Sequence, residues 1–152
     1  MTCTGIRAGA VVVAMLAATG TAHAAETLED EVRTLTNKER TANGCPTLAG
    51  NPKLTKSAQA HTDEMAKAGN FSHTGLNGSN PAERIEKAGY VWKAAAENIA
   101  FGQKTPTEVV AAWMKSPVHR ANILNCSLKE LGVGYALDAK KKAYWTQNFG
   151  TA

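Results

Sequence analysis

Leu131-Gly132-Val133-Gly134-Tyr135-Ala136-Leu137 and Ala143-Tyr144-Trp145-Thr146-Gln147-Asn148-Phe149 are the stretches that decide the fold. Both are short and rich in aromatic and β-branched residues, and the polar segment Asp138-Ala-Lys-Lys-Lys142 joins them as a hairpin. Upstream, the hydrophobic period is that of helices. Over residues 26–43, Leu28, Val32, Leu35 and Glu39 follow i, i+4, i+7, i+11 spacing, and Gly44 offers a stop. A second helix is expected from about 52 to 67, with Asn51 as N-cap, Pro52 at its first position and Gly69 just past its end. Its inward stripe is Leu54, Ala58, His61, Met65 and Ala68.

Asn80-Pro81-Ala82-Glu83 is a capping box that opens a third, short helix ending at Gly89. Thr105-Pro106-Thr107-Glu108 repeats the signature for a helix with Val109, Val110, Trp113 and Met114 facing inward. Ser116-Pro117 restarts the chain into a helical turn over 117–124, and a third strand is expected in 95–101. Helices first and antiparallel strands last make the chain α+β, with helices packed on a small antiparallel sheet. Residues 69–80, rich in Gly, Ser and Asn, read as a long ordered loop, where functional side chains often sit.

A length of 152 residues is that of one domain, and neither a repeat nor a Pro/Ser-rich linker divides it. Lys+Arg 17 against Asp+Glu 13 leaves a net charge of only +4. Nucleic-acid binding is not expected, because the tightest basic cluster, Lys140-Lys141-Lys142, is a turn tip rather than a groove-sized face. The chain opens with Arg7, an apolar run from Ala8 to Ala18 and the small-residue stretch Ala22-His23-Ala24. This is the layout of a secretory signal peptide over 1–24, leaving 25–152 as the exported domain. No transmembrane anchor is expected, since a span needs about 20 apolar residues.

Cys3 falls within that leader, so the exported domain would keep Cys45 and Cys126. Exported chains retain disulfides, and a structural Cys45–Cys126 bridge is the expectation on those grounds. The alternative, a reactive thiol, would need a nearby base that the local sequence does not display.

Three histidines follow the leader. His61 lies on the apolar stripe of its helix and reads as a core histidine with its ring nitrogens hydrogen-bonded. His73 sits in the loop Phe71-Ser72-His73-Thr74-Gly75, and His119 near the start of its helical turn. Glu97 is a lone charge in Ala94-Ala95-Ala96-Glu97-Asn98-Ile99-Ala100. A glutamate in such a setting needs a partner, for which a histidine is suited. Two histidines and a carboxylate could hold Zn²⁺ with an open position or form an acid/base pair. No G-x-S-x-G elbow, phosphate loop or H-E-x-x-H motif is present. Ser72 and Ser116 lie near the candidate histidines but read as turn and N-cap residues.

Five stretches, in order, resemble one family: Asn37-Lys-Glu-Arg40 with Asn43-Gly44-Cys45; Phe71-Ser72-His73; Ala96-Glu97-Asn98-Ile99-Ala100; Trp113 through Leu124; and Tyr144-Trp145-Thr146-Gln147-Asn148-Phe149-Gly150. Over 27–150 the chain resembles a bacterial secreted CAP (SCP-like) domain, of the superfamily of cysteine-rich secretory, antigen 5 and pathogenesis-related proteins. The resemblance implies a three-layer α-β-α sandwich with a central cleft. In animal and plant members that cleft holds two histidines and two glutamates, and some bind zinc there. His73 matches the first histidine and Glu97 the glutamate of the G/A-E-N motif. Ser116 and Tyr144 replace the other two, and His119 matches the histidine of the bacterial S-P-x-H-R variant.

The resemblance implies a secreted domain, in the medium, periplasm or cell wall. The leading expectation is that it binds a cell-envelope or extracellular ligand (lipid, glycan or protein) through a polar His/Glu cleft, as a monomer without catalysis, because no nucleophile setting is present and two of the four cleft positions are replaced. No cofactor is required for that role. The alternative is a hydrolase in which His73, Glu97 and His119 are catalytic, with zinc on His73 and His119 or with histidine as base. A third expectation is a structural, disulfide-stabilised envelope protein.

Overall fold

The computed structural model describes residues 1–2 and 25–152, so the expected leader falls outside the described residues apart from Met1 and Thr2. The element order is α1 (Leu28–Ala42), β1 (Ala49–Gly50), α2 (Pro52–Ala68), α3 (Pro81–Lys87), β2 (Ala94–Phe101), α4 (Pro106–Lys115), α5 (Pro117–Ile123), β3 (Glu130–Leu137) and β4 (Ala143–Thr151).

Helix starts follow local chemistry. The side chains of Thr27, Asn51, Asn80 and Thr105 each accept from an amide in the first turn of the helix they precede. These amides have no partner within the helix, so each cap satisfies a group that folding would otherwise strand. Gly69 ends α2 at φ 62°, a left-handed conformation that suits glycine. Ser116 occupies the N-cap position of α5 but makes no capping bond there.

The sheet runs β1-β3-β4-β2. β3 and β4 pair antiparallel with Leu137 opposite Ala143, and β2 pairs antiparallel on the other side of β4 with Glu97 opposite Asn148. The expected sheet was wholly antiparallel. The observed one is mixed, because β1 adds parallel to β3. A two-residue strand is too short to leave a periodic signal in the sequence.

Strand alternation sends the two faces of β4 into different cores. Trp145 and Phe149, with Leu131, Val133 and Ala100, pack against Val32 of α1, Val109 and Trp113 of α4 and Ile123 of α5. Each large apolar side chain buried there contributes about 1.5–3 kcal/mol. On the opposite face Tyr144 and Ile99 meet Met65 and Ala66 of α2. Leu54 there joins Ile85 of α3 and Tyr90. The result is the three-layer α-β-α sandwich. A Cβ on Gly132 would lie 2.0 Å from Thr55 N, and one on Gly134 would lie 2.6 Å from the Ala58 carbonyl carbon. The α2 backbone therefore occupies the space that side chains on β3 would fill.

α1 differs from its expected stripe. It buries Val32, Thr36 and Arg40, while Leu28 is exposed and Leu35 half-buried. Polar partners decide this. Thr36 Oγ1 accepts from Gln147 Nε2 at 2.8 Å. The Arg40 guanidinium donates to the carbonyls of Pro46, Ile123, Asn125 and Leu128 at 2.7–3.0 Å. Ala68, the last residue of the expected α2 stripe, is exposed. Cys45 and Cys126, 81 positions apart, form a disulfide with Cα atoms 5.0 Å apart. A bridge closing so long a loop is worth about 4.5 kcal/mol in the chain-entropy model, against about 2–4 typically measured.

Candidate functional site

β2 is an outer strand, and its alternation places Ala95, Glu97 and Ile99 on the face that carries α2 and α3. The Glu97 side chain is only 1 % exposed. A buried carboxylate must be compensated, and here both oxygens are. Oε1 accepts from His73 Nδ1 at 2.8 Å, and Oε2 accepts from Arg84 Nη2 at 2.8 Å. The Asn148 amide is assigned the orientation that satisfies both of its ends. It then donates to Oε2 at 3.0 Å, while its oxygen accepts from Ser57 Oγ and Ala58 N.

Because an ionised carboxylate only accepts, Nδ1 of His73 carries the proton in that bond. A neutral imidazole then leaves Nε2 as an acceptor, and the ring is 51 % exposed. Arg84, 11 % exposed, fastens the loop as well as the acid. Its Nη1 donates to the main-chain oxygens of His73 and Ser79, both at 2.9 Å.

His119 comes from the other side of β2. Its carbonyl accepts from Asn98 Nδ2 at 3.1 Å, and Asn122 Nδ2 donates to Asn98 Oδ1 at 2.8 Å and to Glu97 O at 3.2 Å. These bonds seat α5 against the strand. Burial first, then the positive charge available on His73, push the His119 pKa below its ordinary 6.5.

The remaining candidates go elsewhere. His61 is buried, with Nε2 2.9 Å from the Ser72 carbonyl. Its Nδ1 lacks a hydrogen bond, contrary to the expectation that both ring nitrogens are satisfied, and lies 3.4 Å from Glu64 Oε2. Ser72 Oγ accepts from Thr74 N in a turn.

Zinc, which the family resemblance implies for some members, fits these donors poorly. A catalytic zinc takes three protein ligands. Glu97 is engaged at both oxygens, which leaves His73 Nε2 as the free donor of the dyad, while Ser116 and Tyr144 stand at the other two positions. Among the described residues no group of three or more His, Cys, Asp or Glu side chains is placed to hold a metal ion. A cavity of about 330 Å³ opens beside the dyad, lined by His73, Asn80, Pro81, Ala82 and the Ala95–Glu97 stretch.

Arg84 and Asn148, which complete the Glu97 environment, were not singled out from the sequence. The one signal for Asn148 is its place in Thr146-Gln147-Asn148, a polar run inside a strand buried along almost its whole length. A run of that kind requires internal partners.

Comparison with known proteins agrees with this fold. The chain is 42% identical over 121 residues to the Bacillus subtilis (strain 168) protein described as "Uncharacterized protein YkwD", covering 80% of this chain and 46% of that protein. It is 32% identical over 123 residues to the "Uncharacterized membrane protein YlbC" of the same organism, covering 81% of this chain and 34% of that protein. A crystal structure of an extracellular Bacillus anthracis protein containing an SCP domain superposes with a TM-score of 0.75 at 28% identity, covering 82% of this chain and 40% of that one. The chain spans less than half the length of each of these three proteins. The profile described as "CAP: Cysteine-rich secretory protein family" matches residues 33–149, and the chain belongs to that family.

Proposed function

We propose that the protein is exported and that its His73–Glu97 cleft binds an extracellular or cell-envelope ligand as a monomer, without catalysis. The carrying observation is the commitment of Glu97. With His73, Arg84 and Asn148 on its two oxygens, it can leave to act as base or metal ligand only by breaking a buried ion pair. Removing one partner of such a pair costs about 3–5 kcal/mol. Glu97 instead holds the imidazole in one tautomer at the rim of a cavity. Export is supported by the leader-like segment ending at Ala22-His23-Ala24 and by the Cys45–Cys126 disulfide, which suits an oxidising compartment. No helix among the described residues is long and apolar enough to cross a membrane.

One observation favours a hydrolase as second reading. An imidazole oriented by a carboxylate, with its far nitrogen exposed, is also the arrangement of a general base. Co-sedimentation with purified bacterial cell walls separates the two. The expected result is binding that falls several-fold in a folded His73→Ala variant, with no soluble fragments released. Fragment release that depends on His73 would establish the hydrolase, and absence of sedimentation would contradict an envelope ligand.

A further inference from the structure

The outer edge of β2 is closed along half of its length and open along the other half. Gly102 N donates to Ala143 O at 2.8 Å. In an antiparallel ladder such pairs alternate, so Ala100, Asn98, Ala96 and Ala94 turn their main-chain groups toward β4. Ile99, Glu97 and Ala95 turn theirs outward. Two side-chain bonds bear out this parity, because each reaches an odd-numbered carbonyl from a helix. Trp113 Nε1 donates to Ile99 O at 3.2 Å, and Asn122 Nδ2 donates to Glu97 O at 3.2 Å. α4 and α5 therefore blunt the edge from Glu97 O onward, as sheet edges generally require.

Ahead of that point, the outward groups are the N–H and C=O of Ala95 and the N–H of Glu97. Ala95, Ala96 and Glu97 line the 330 Å³ cavity, together with Pro81, Ala82 and the half-exposed His73. Ala94, Ala95 and Ala96 are half-buried and carry only methyl side chains, so another backbone can approach them. An alternation of donor, acceptor and donor along a strand edge is the complement of a polypeptide main chain in extended form. The cavity lining includes no Trp, Tyr or Phe face on which a sugar ring would stack.

We propose that this open edge takes an extended peptide, whose main chain adds to β2 beside Ala95 and Glu97 as a short additional strand under His73. The proposal deepens the binding-cleft reading and rests on it, naming polypeptide as the ligand class. Hydrogen bonds to Ala95 supply affinity, and His73 and the Pro81–Ala82 wall meet the peptide's side chains.

The test begins with selection of a random hexapeptide display library on the oxidised protein. The selected peptide is then titrated while the backbone amides are followed by NMR. The amides of Ala95 and Glu97 are expected to shift most. Ala95→Pro deletes an outward N–H that the ladder to β4 does not use, which an edge strand tolerates. It is expected to leave the β2–β4 amides in place and weaken binding at least ten-fold. The same peptide N-methylated on its strand-facing amides should lose as much on the wild-type protein, a readout independent of how well Ala95→Pro folds. Failure to select any peptide, shifts confined to another surface, or equal binding by the N-methylated peptide would overturn the proposal. Shifts at these amides with an N-acetylglucosamine tetramer alone would overturn the peptide assignment and leave the cleft a binding site. Cleavage of the bound peptide would overturn the non-catalytic reading and leave the peptide assignment standing.

Discussion

Arg84 and Glu97 form an ion pair at 2.8 Å in which both side chains are nearly removed from solvent. The other arm of the same guanidinium holds the main-chain oxygen of His73. One cation thus fixes the acid and the loop that carries its histidine, and the geometry of the dyad follows from it.

Arg84→Met should therefore leave a buried carboxylate without its counter-charge, with His73 and Asn148 still donating to it, and cost about 3–5 kcal/mol, measured by urea unfolding. Arg84→Lys should recover little of this. An ammonium cannot span Glu97 Oε2, His73 O and Ser79 O as the planar guanidinium does. Full stability in either variant would refute this role for Arg84.

The His119 pKa lies below its ordinary 6.5, through burial and then through His73. The folded state thus takes up its proton less readily than the unfolded chain. Stability is complete above about 6.5 and falls as pH drops from there through the lower folded-state value. In His73→Ala the like charge is gone, so the His119 pKa should rise toward 6.5 while the part due to burial remains. Two-dimensional NMR of the imidazole protons checks both statements, and a His119 titration identical in the two proteins would separate the residues in space.

Gly132 and Gly134 test the packing that seats α2, and with it the loop to His73. Alanine at 132 would place its Cβ 2.0 Å from Thr55 N, a backbone atom that cannot swing aside. Overpacking of this kind costs about 1–3 kcal/mol, occasionally more. Calorimetric melting of Gly132→Ala should show a loss in that range or larger, and an unchanged melting temperature would contradict the close approach.

Much of the fold is legible residue by residue where the chemistry is local. Asn51-Pro52, Asn80-Pro81 and Thr105-Pro106 start helices because a cap and a proline act within one turn. The α1 stripe was misplaced because Thr36 and Arg40 are buried by partners far away in sequence, and apolar periodicity is blind to those. Glu97 announced its need for a partner by standing alone among alanines. Its histidine could be named, but Arg84 could not. Arg84 lies on a seven-residue helix among other charged side chains, where spacing carries no burial signal. That α5, which carries His119, is tied to β2 by Asn98 and Asn122 is likewise something only the tertiary structure reveals.

The most direct measurement is a calorimetric zinc titration of the oxidised protein beside a His73→Ala/His119→Ala double variant. With Glu97 spent on His73, Arg84 and Asn148, only two imidazole nitrogens remain, and no saturable one-to-one binding that depends on both histidines is predicted. Stoichiometric zinc binding by the wild type that the double variant loses would contradict the poor fit of these donors to zinc and restore the metal-hydrolase reading.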